Sequence, residues 1–181
     1  VPEVTAYPYP IGYDVVNYYI PVVANFEEHW STVIGQFPLY VLLLYLLSTL
    51  TNLSAHGIVA GTAVVMFGVF GASLYYLGRS LLKLSIGQSV FLAVFCILQM
   101  AVLRTAWDLH RDIFALTTMM FAFCLLGRKD VGWKCIMAIL VLAALTVAAD
   151  RMIGALFCIS LVSYAAITRR REVVVASAFA A

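Results

Sequence analysis

Two arginines and two aspartates crowd one short stretch of an otherwise apolar chain. Arg104, Asp108, Arg111 and Asp112 fall at i, i+4, i+7 and i+8, spacings that stack side chains along one helical face. Two chemistries fit that pattern. The acids and arginines can neutralise one another as an ion-pair ladder at a helix end. Alternatively, they can wall a polar cavity in which guanidinium groups hold the phosphate of an anionic headgroup through their fork of donors. His110 lies inside the stretch and reads as a packing residue or an interface hydrogen-bonder. Farther along, Asp150-Arg151 is a second charged pair between two apolar runs.

A second candidate lies near the start, in Tyr7-Pro8-Tyr9-Pro10-Ile11-Gly12-Tyr13-Asp14 followed by Tyr18-Tyr19-Ile20-Pro21. A carboxylate after a glycine, among aromatic rings in a low-dielectric setting, is suited to take a proton as a general base. Asp14 equally suits a helix cap, because it precedes Val15-Val16-Asn17-Tyr18. The rings of Tyr13 and Tyr18 offer flat faces of the kind sugars stack on.

The elements that must position these residues follow from composition. Of 181 residues, 64% are hydrophobic and 11% charged, and the mean hydropathy is +1.01. An average soluble domain has about 45–50% apolar and about 25% charged residues. A chain of this size has too much surface to hide such an excess. A soluble enzyme, a nucleic-acid binder and a disordered tail are excluded, and an integral membrane protein is expected. The four cysteines, Cys96, Cys124, Cys135 and Cys158, lie far apart in apolar runs and read as packing residues.

Residues 1–36 hold four of the five prolines and the acids Glu3, Asp14, Glu27 and Glu28, with no Lys or Arg. They read as an aqueous or interfacial loop carrying the candidate acid. Six apolar stretches follow, at about 37–53, 57–78, 86–103, 112–126, 133–149 and 152–168. None shows the period-2 alternation of a membrane barrel, so an all-α, polytopic transmembrane helix bundle is expected. About five helices span, over 57–172, and one is interfacial or re-entrant, over 37–53. Gly57 and Gly61 form a GxxxG pair, a pattern for close helix packing. Residues 173–181 read as the start of a further apolar segment, and Val1 in place of Met suggests an internal piece of a longer chain.

Charge fixes the expected topology. Counted from 57–78 onward, one face receives Arg79, Lys83, Arg128, Lys129, Lys134 and Arg169-Arg170-Arg171. The other receives Arg104, Asp108, Arg111, Asp112, Asp150 and Arg151. The basic face is cytoplasmic by the positive-inside rule. The 37–53 stretch is short and broken by Ser48, Thr49, Thr51 and Asn52, and the loop before it lacks basic residues. It is therefore read as lying at the surface, with residues 1–36 on the same outer face as Asp108 and Asp150.

The Pro10-Ile11-Gly12-Tyr13-Asp14 loop, the Gly35-Gln36-Phe37-Pro38-Leu39 segment, a helix ending in Leu77-Gly78-Arg79 and Trp107-Asp108-Leu109-His110-Arg111-Asp112-Ile113 together resemble the polytopic GT-C glycosyltransferases. That superfamily includes the family 39 protein mannosyltransferases and the aminoarabinose transferases. The resemblance covers about Tyr7 to Arg171. It implies a glycosyltransferase that uses a polyprenyl- or dolichyl-phosphate sugar as lipid-linked donor, in contact with membrane lipids and no nucleic acid. The reaction would take place on the non-cytoplasmic face of a cell membrane or an endoplasmic-reticulum-type membrane. It implies Asp14 as the catalytic residue, acting as base or positioning the acceptor. Tyr13, Tyr18, Arg104, Asp108, Arg111, Asp112 and Arg151 would then contact substrate. Some members use a divalent metal, and whether the aspartates here hold one is left open. The alternative is a non-enzymatic transporter or membrane assembly subunit. A transporter predicts ionisable residues in mid-helix and internal repeats, whereas the helix middles here are nearly free of charge and no repeat is found.

Overall fold

A computed structural model describes residues 18–35, 39–102, 110–128 and 132–168. Tyr13, Asp14, Arg104, Asp108 and the segment 173–181 lie outside the described residues. Within them the regular structure is entirely helical: α1 (Ile20–Ala24), α2 (Phe26–Gly35), α3 (Leu39–Thr51), α4 (Ala55–Ser80), α5 (Ile86–Val102), α6 (His110–Leu126), α7 (Trp133–Ala149) and α8 (Arg151–Thr168). The 26-residue α4 is the one described helix both long and apolar enough to cross a membrane unaided, and α3, α5, α7 and α8 contain shorter apolar stretches.

Local sequence explains the breaks. Asn52 ends α3 in the left-handed region at φ 55°, a conformation Asn tolerates better than most residues. Two residues later the Ser54 hydroxyl caps α4 by accepting from Gly57 N at 3.2 Å. The Asn52-Leu53-Ser54 run, which has the spacing of a glycosylation acceptor, is thus a helix-to-helix turn. At the start of α5, Ser85 and Gln88 cap reciprocally, with Ser85 N donating to Gln88 Oε1 at 2.9 Å and Gln88 N to Ser85 Oγ at 3.3 Å. Residues 20–35, read from sequence as loop, are helical. Pro21 stands in the first turn of α1, where its missing N–H costs nothing. Glu27 and Glu28 stand in the first turn of α2, where acids complement the helix dipole.

α6 is the centre of the bundle. It packs against α4 on one side and α7 on the other, with α5 against α4 and α8 against α7. Ala115, Met119, Ala122 and Leu126 of α6 share a core with Ile139 and Ala143 of α7 and with Phe157 and Leu161 of α8. The threonine hydroxyls between α6 and α7 are bonded within the bundle. Thr117 Oγ1 donates to Ile113 O at 2.7 Å, and Thr118 and Thr146 join α6 to α7 at 2.9 Å. Outward, the bundle is apolar: Val64 is 74% exposed, Phe91 70% and Met152 74%. Contiguous exposed apolar faces of this kind need a non-aqueous neighbour.

Close packing uses other glycines than the Gly57/Gly61 pair. A Cβ on Gly61 would meet nothing within 4 Å, and one on Gly57 only Ser54 Oγ, at 3.4 Å. On Gly78 it would lie 2.8 Å from Ser89 Oγ and 3.3 Å from Ser89 Cα. α5 rests its backbone against α4 there, in the last turn of α4 and far along the helix from the Gly57/Gly61 pair. Accordingly, Gly78→Val should destabilise the bundle by about 1–3 kcal/mol through overpacking. Gly61→Val should leave it nearly unchanged, as measured by thermal unfolding of the purified protein in detergent.

Candidate functional site

The packing sorts the charged residues into two clusters at opposite ends of α6, a helix of 17 residues that is about 25 Å long. At its last turn the basic groups gather. Lys83 Nζ donates to Gly127 O at 3.3 Å, and the Cys135 thiol lies 3.7 Å from Leu125 O. The α4–α5 link, the end of α6 and the start of α7 therefore meet, bringing Arg79, Lys83, Arg128 and Lys134 to one end.

At the first turn of α6 stand the acids. Arg111 Nε lies 3.5 Å from Asp112 Oδ1 and 3.5 Å from Asp150 Oδ2. These are charge contacts longer than ordinary hydrogen bonds. Asp112 comes one residue before the apolar segment that begins at Ile113. Asp150 is the single residue between α7 and α8, and its extended backbone (φ −150°, ψ 128°) breaks the helix. Its Oδ1 accepts from Ile153 N at 3.0 Å and so caps α8. One carboxylate thus starts a helix with one oxygen and reaches Arg111 with the other. Their side chains are only 20% and 12% exposed. One guanidinium faces two carboxylates, and Arg151, next in sequence to Asp150, is a second cation at this end.

Next to this cluster a set of rings fastens the N-terminal segment to α6. Tyr19, Tyr40 and His110 are all buried. The Tyr19 ring is parallel to the His110 imidazole, with centroids 5.7 Å apart and planes at 3°. Tyr40 meets the same imidazole edge-on at 6.3 Å and Phe114 at 6.2 Å. Tyr18, half-buried, packs edge-on against Tyr19 at 5.4 Å. His110 is therefore a packing residue, the aromatic centre of a clasp. The clasp also holds the first turn of α3. That turn touches the start of α6 through Tyr40, and the last turn leads within three residues into the start of α4. Both ends of this 13-residue helix belong to the acidic end of the bundle.

Of the residues singled out from sequence, Arg111 and Asp112 are brought together, and Tyr18 joins the clasp beside them. Arg151 is exposed at the first residue of α8. Asp150, noted only as an acid of the same face, is the residue that completes the arginine contact. Its signal was a lone acid between two apolar runs. No three His, Cys, Asp or Glu residues gather to hold a metal among the described residues. Arg111 already lies between the two carboxylates that do meet. This part of the site does not fit a resident cation.

No family model, curated protein or solved structure matches the chain.

Proposed function

We propose that the chain belongs to a polytopic membrane glycosyltransferase. It would move a sugar from a polyprenyl or dolichyl phosphate to an acceptor on the non-cytoplasmic face. In this reading the apolar segments of α4, α5, α6, α7 and α8 are five spans, and α3 lies at the surface. The observation that carries it is the meeting of Arg111, Asp112 and Asp150 at one end of an apolar bundle, fastened by Tyr19 to the segment that follows Asp14. The resemblance of the Asp14 loop and the Trp107–Ile113 run to GT-C enzymes supplies the reaction class.

The chemistry is displacement at the anomeric carbon. An acceptor oxygen forms the new bond to that carbon as the bond to the phosphate oxygen breaks, and the electron pair leaves with the lipid phosphate. Asp14 takes the acceptor proton. Arg111, with Arg104 and Arg151 as further cations, offsets the charge developing on the departing phosphate. The resemblance assigns Asp108 and Asp112 to the same substrate site, with Tyr13 and Tyr18 as further substrate contacts. A transporter fits less well. In the described helices every charged side chain lies within about one turn of a helix end, and none stands where a mid-membrane path would need it.

Release of lipid phosphate from a panel of polyprenyl- and dolichyl-phosphate hexoses, measured with the full-length protein in native membranes, tests the proposal. Asp14→Ala should abolish sugar transfer. Arg111→Ala should lower its rate roughly 100-fold, the loss expected when one charge-stabilising donor is removed from a transition state. Normal transfer by Asp14→Ala would overturn the assignment.

A further inference from the structure

At the opposite end from the acids, the bundle carries a cleft that the proposed reaction does not use. It encloses about 390 Å³, within the ~300–1,000 Å³ typical of small-molecule sites. Tyr76 of α4, Phe121 and Leu125 of α6 and Leu142 of α7 form apolar walls, and Arg128 stands at the mouth. From Arg128 inward to Phe121 the cleft follows α6 for about 10 Å at 1.5 Å per residue. Its interior is greasy and its opening cationic.

The charge around the mouth is lopsided. Lys83 reaches Gly127 O, next to Arg128. Arg79 is anchored beside it by donating to Leu84 O at 2.6 Å. Lys134 is exposed in the first turn of α7. The sequence around this end adds Lys129 and Arg169-Arg170-Arg171 as further cations and Asp130 and Glu172 as acids, all outside the described residues. Trp133 and Tyr76 are both exposed here, as aromatic residues are at the level of lipid headgroups. A basic pocket between apolar helices suits an anionic lipid, with chain inside and headgroup at the rim.

We infer that the cleft between α4, α6 and α7 binds one acyl chain of an anionic glycerophospholipid, whose phosphate is held at Arg128 with Lys83, Arg79 and Lys134 around it. The occupant comes from the bilayer leaflet on the basic side, so this site is separate from that of the lipid-linked sugar donor. The inference shares with the proposed function only residence in a membrane, and it is read without any sugar transfer.

Native mass spectrometry of the 181-residue chain, released from detergent containing equimolar phosphatidylglycerol and phosphatidylcholine, tests it. Phosphatidylglycerol should be retained at least about fivefold over phosphatidylcholine. Arg128→Gln should remove about fivefold of that preference, the share expected of one cation near an anionic headgroup. Leu142→Trp, which fills the cleft, should lower retention of both lipids. If that variant does not fold, Leu125→Phe narrows the same cleft. Added glycerol 3-phosphate, which has the headgroup charge but no chain, should displace neither lipid. Equal retention of the two lipids, an unchanged preference in Arg128→Gln, or displacement by glycerol 3-phosphate would overturn the assignment. None of those results would bear on glycosyl transfer.

Discussion

Arg111 sits between two carboxylates from distant parts of the chain, Asp112 in its own helix and Asp150 in the break between α7 and α8. The rest of the acidic end is organised by that contact. Asp150 can end α7 and begin α8 in one residue because its side chain serves the backbone with one oxygen and the guanidinium with the other. Gly154, one turn on, lets α8 fold close against α7, since a Cβ there would lie 3.0 Å from Val147 Cα. Removing Arg111 would leave two mostly buried acids facing each other, and uncompensated buried charge is costly.

The same economy holds along the whole bundle. Its outward faces are apolar, so ions can sit only at helix ends, and polar groups in between must satisfy themselves. Thr117 and Thr118 bond back to carbonyls one turn earlier, and Thr118 meets Thr146 across the helix contact. Such bonds between helices add about 0.6–2 kcal/mol each in an apolar surrounding. Charge confined to two ends makes the molecule bipolar. One end is arginine and carboxylate, clasped to the Tyr-rich segment; the other is cationic and opens into an apolar cleft. We assign the proposed sugar transfer to the first and the proposed lipid contact to the second.

Much of the helical layout was legible in the sequence. Apolar runs bounded by Ser, Asn, Gly and charged residues place α3 through α8 within about two residues of their observed ends, because length and hydropathy alone delimit such segments. The separation of acidic from basic residues was legible for the same reason. Three features were not. The helices α1 and α2 are hidden by prolines and tyrosines, whose turn-like composition outweighs a capping signal that depends on local geometry. The close approach of α4 to α5 uses Gly78 rather than the GxxxG pair, because which glycine faces a neighbour depends on how the helices are rotated. The stack of Tyr19 on His110 joins residues ninety-one positions apart in the chain, a pairing no local pattern encodes. The carboxylate of Asp14 lies outside the described residues, and Tyr18, packed on Tyr19, is the nearest described residue of that segment.

The central claim is that the Asp14 segment and the Arg111–Asp112–Asp150 cluster share one face of a membrane, opposite the Arg128 end. Labelling single cysteines in intact cells with a membrane-impermeant thiol reagent tests this most directly, with Cys96, Cys124, Cys135 and Cys158 replaced and a new cysteine placed at position 14, 151 or 134. The account predicts that positions 14 and 151 label from outside and that position 134 labels only after the cells are opened. Labelling of 14 and 151 from opposite sides, or of 151 and 134 from the same side, would contradict it.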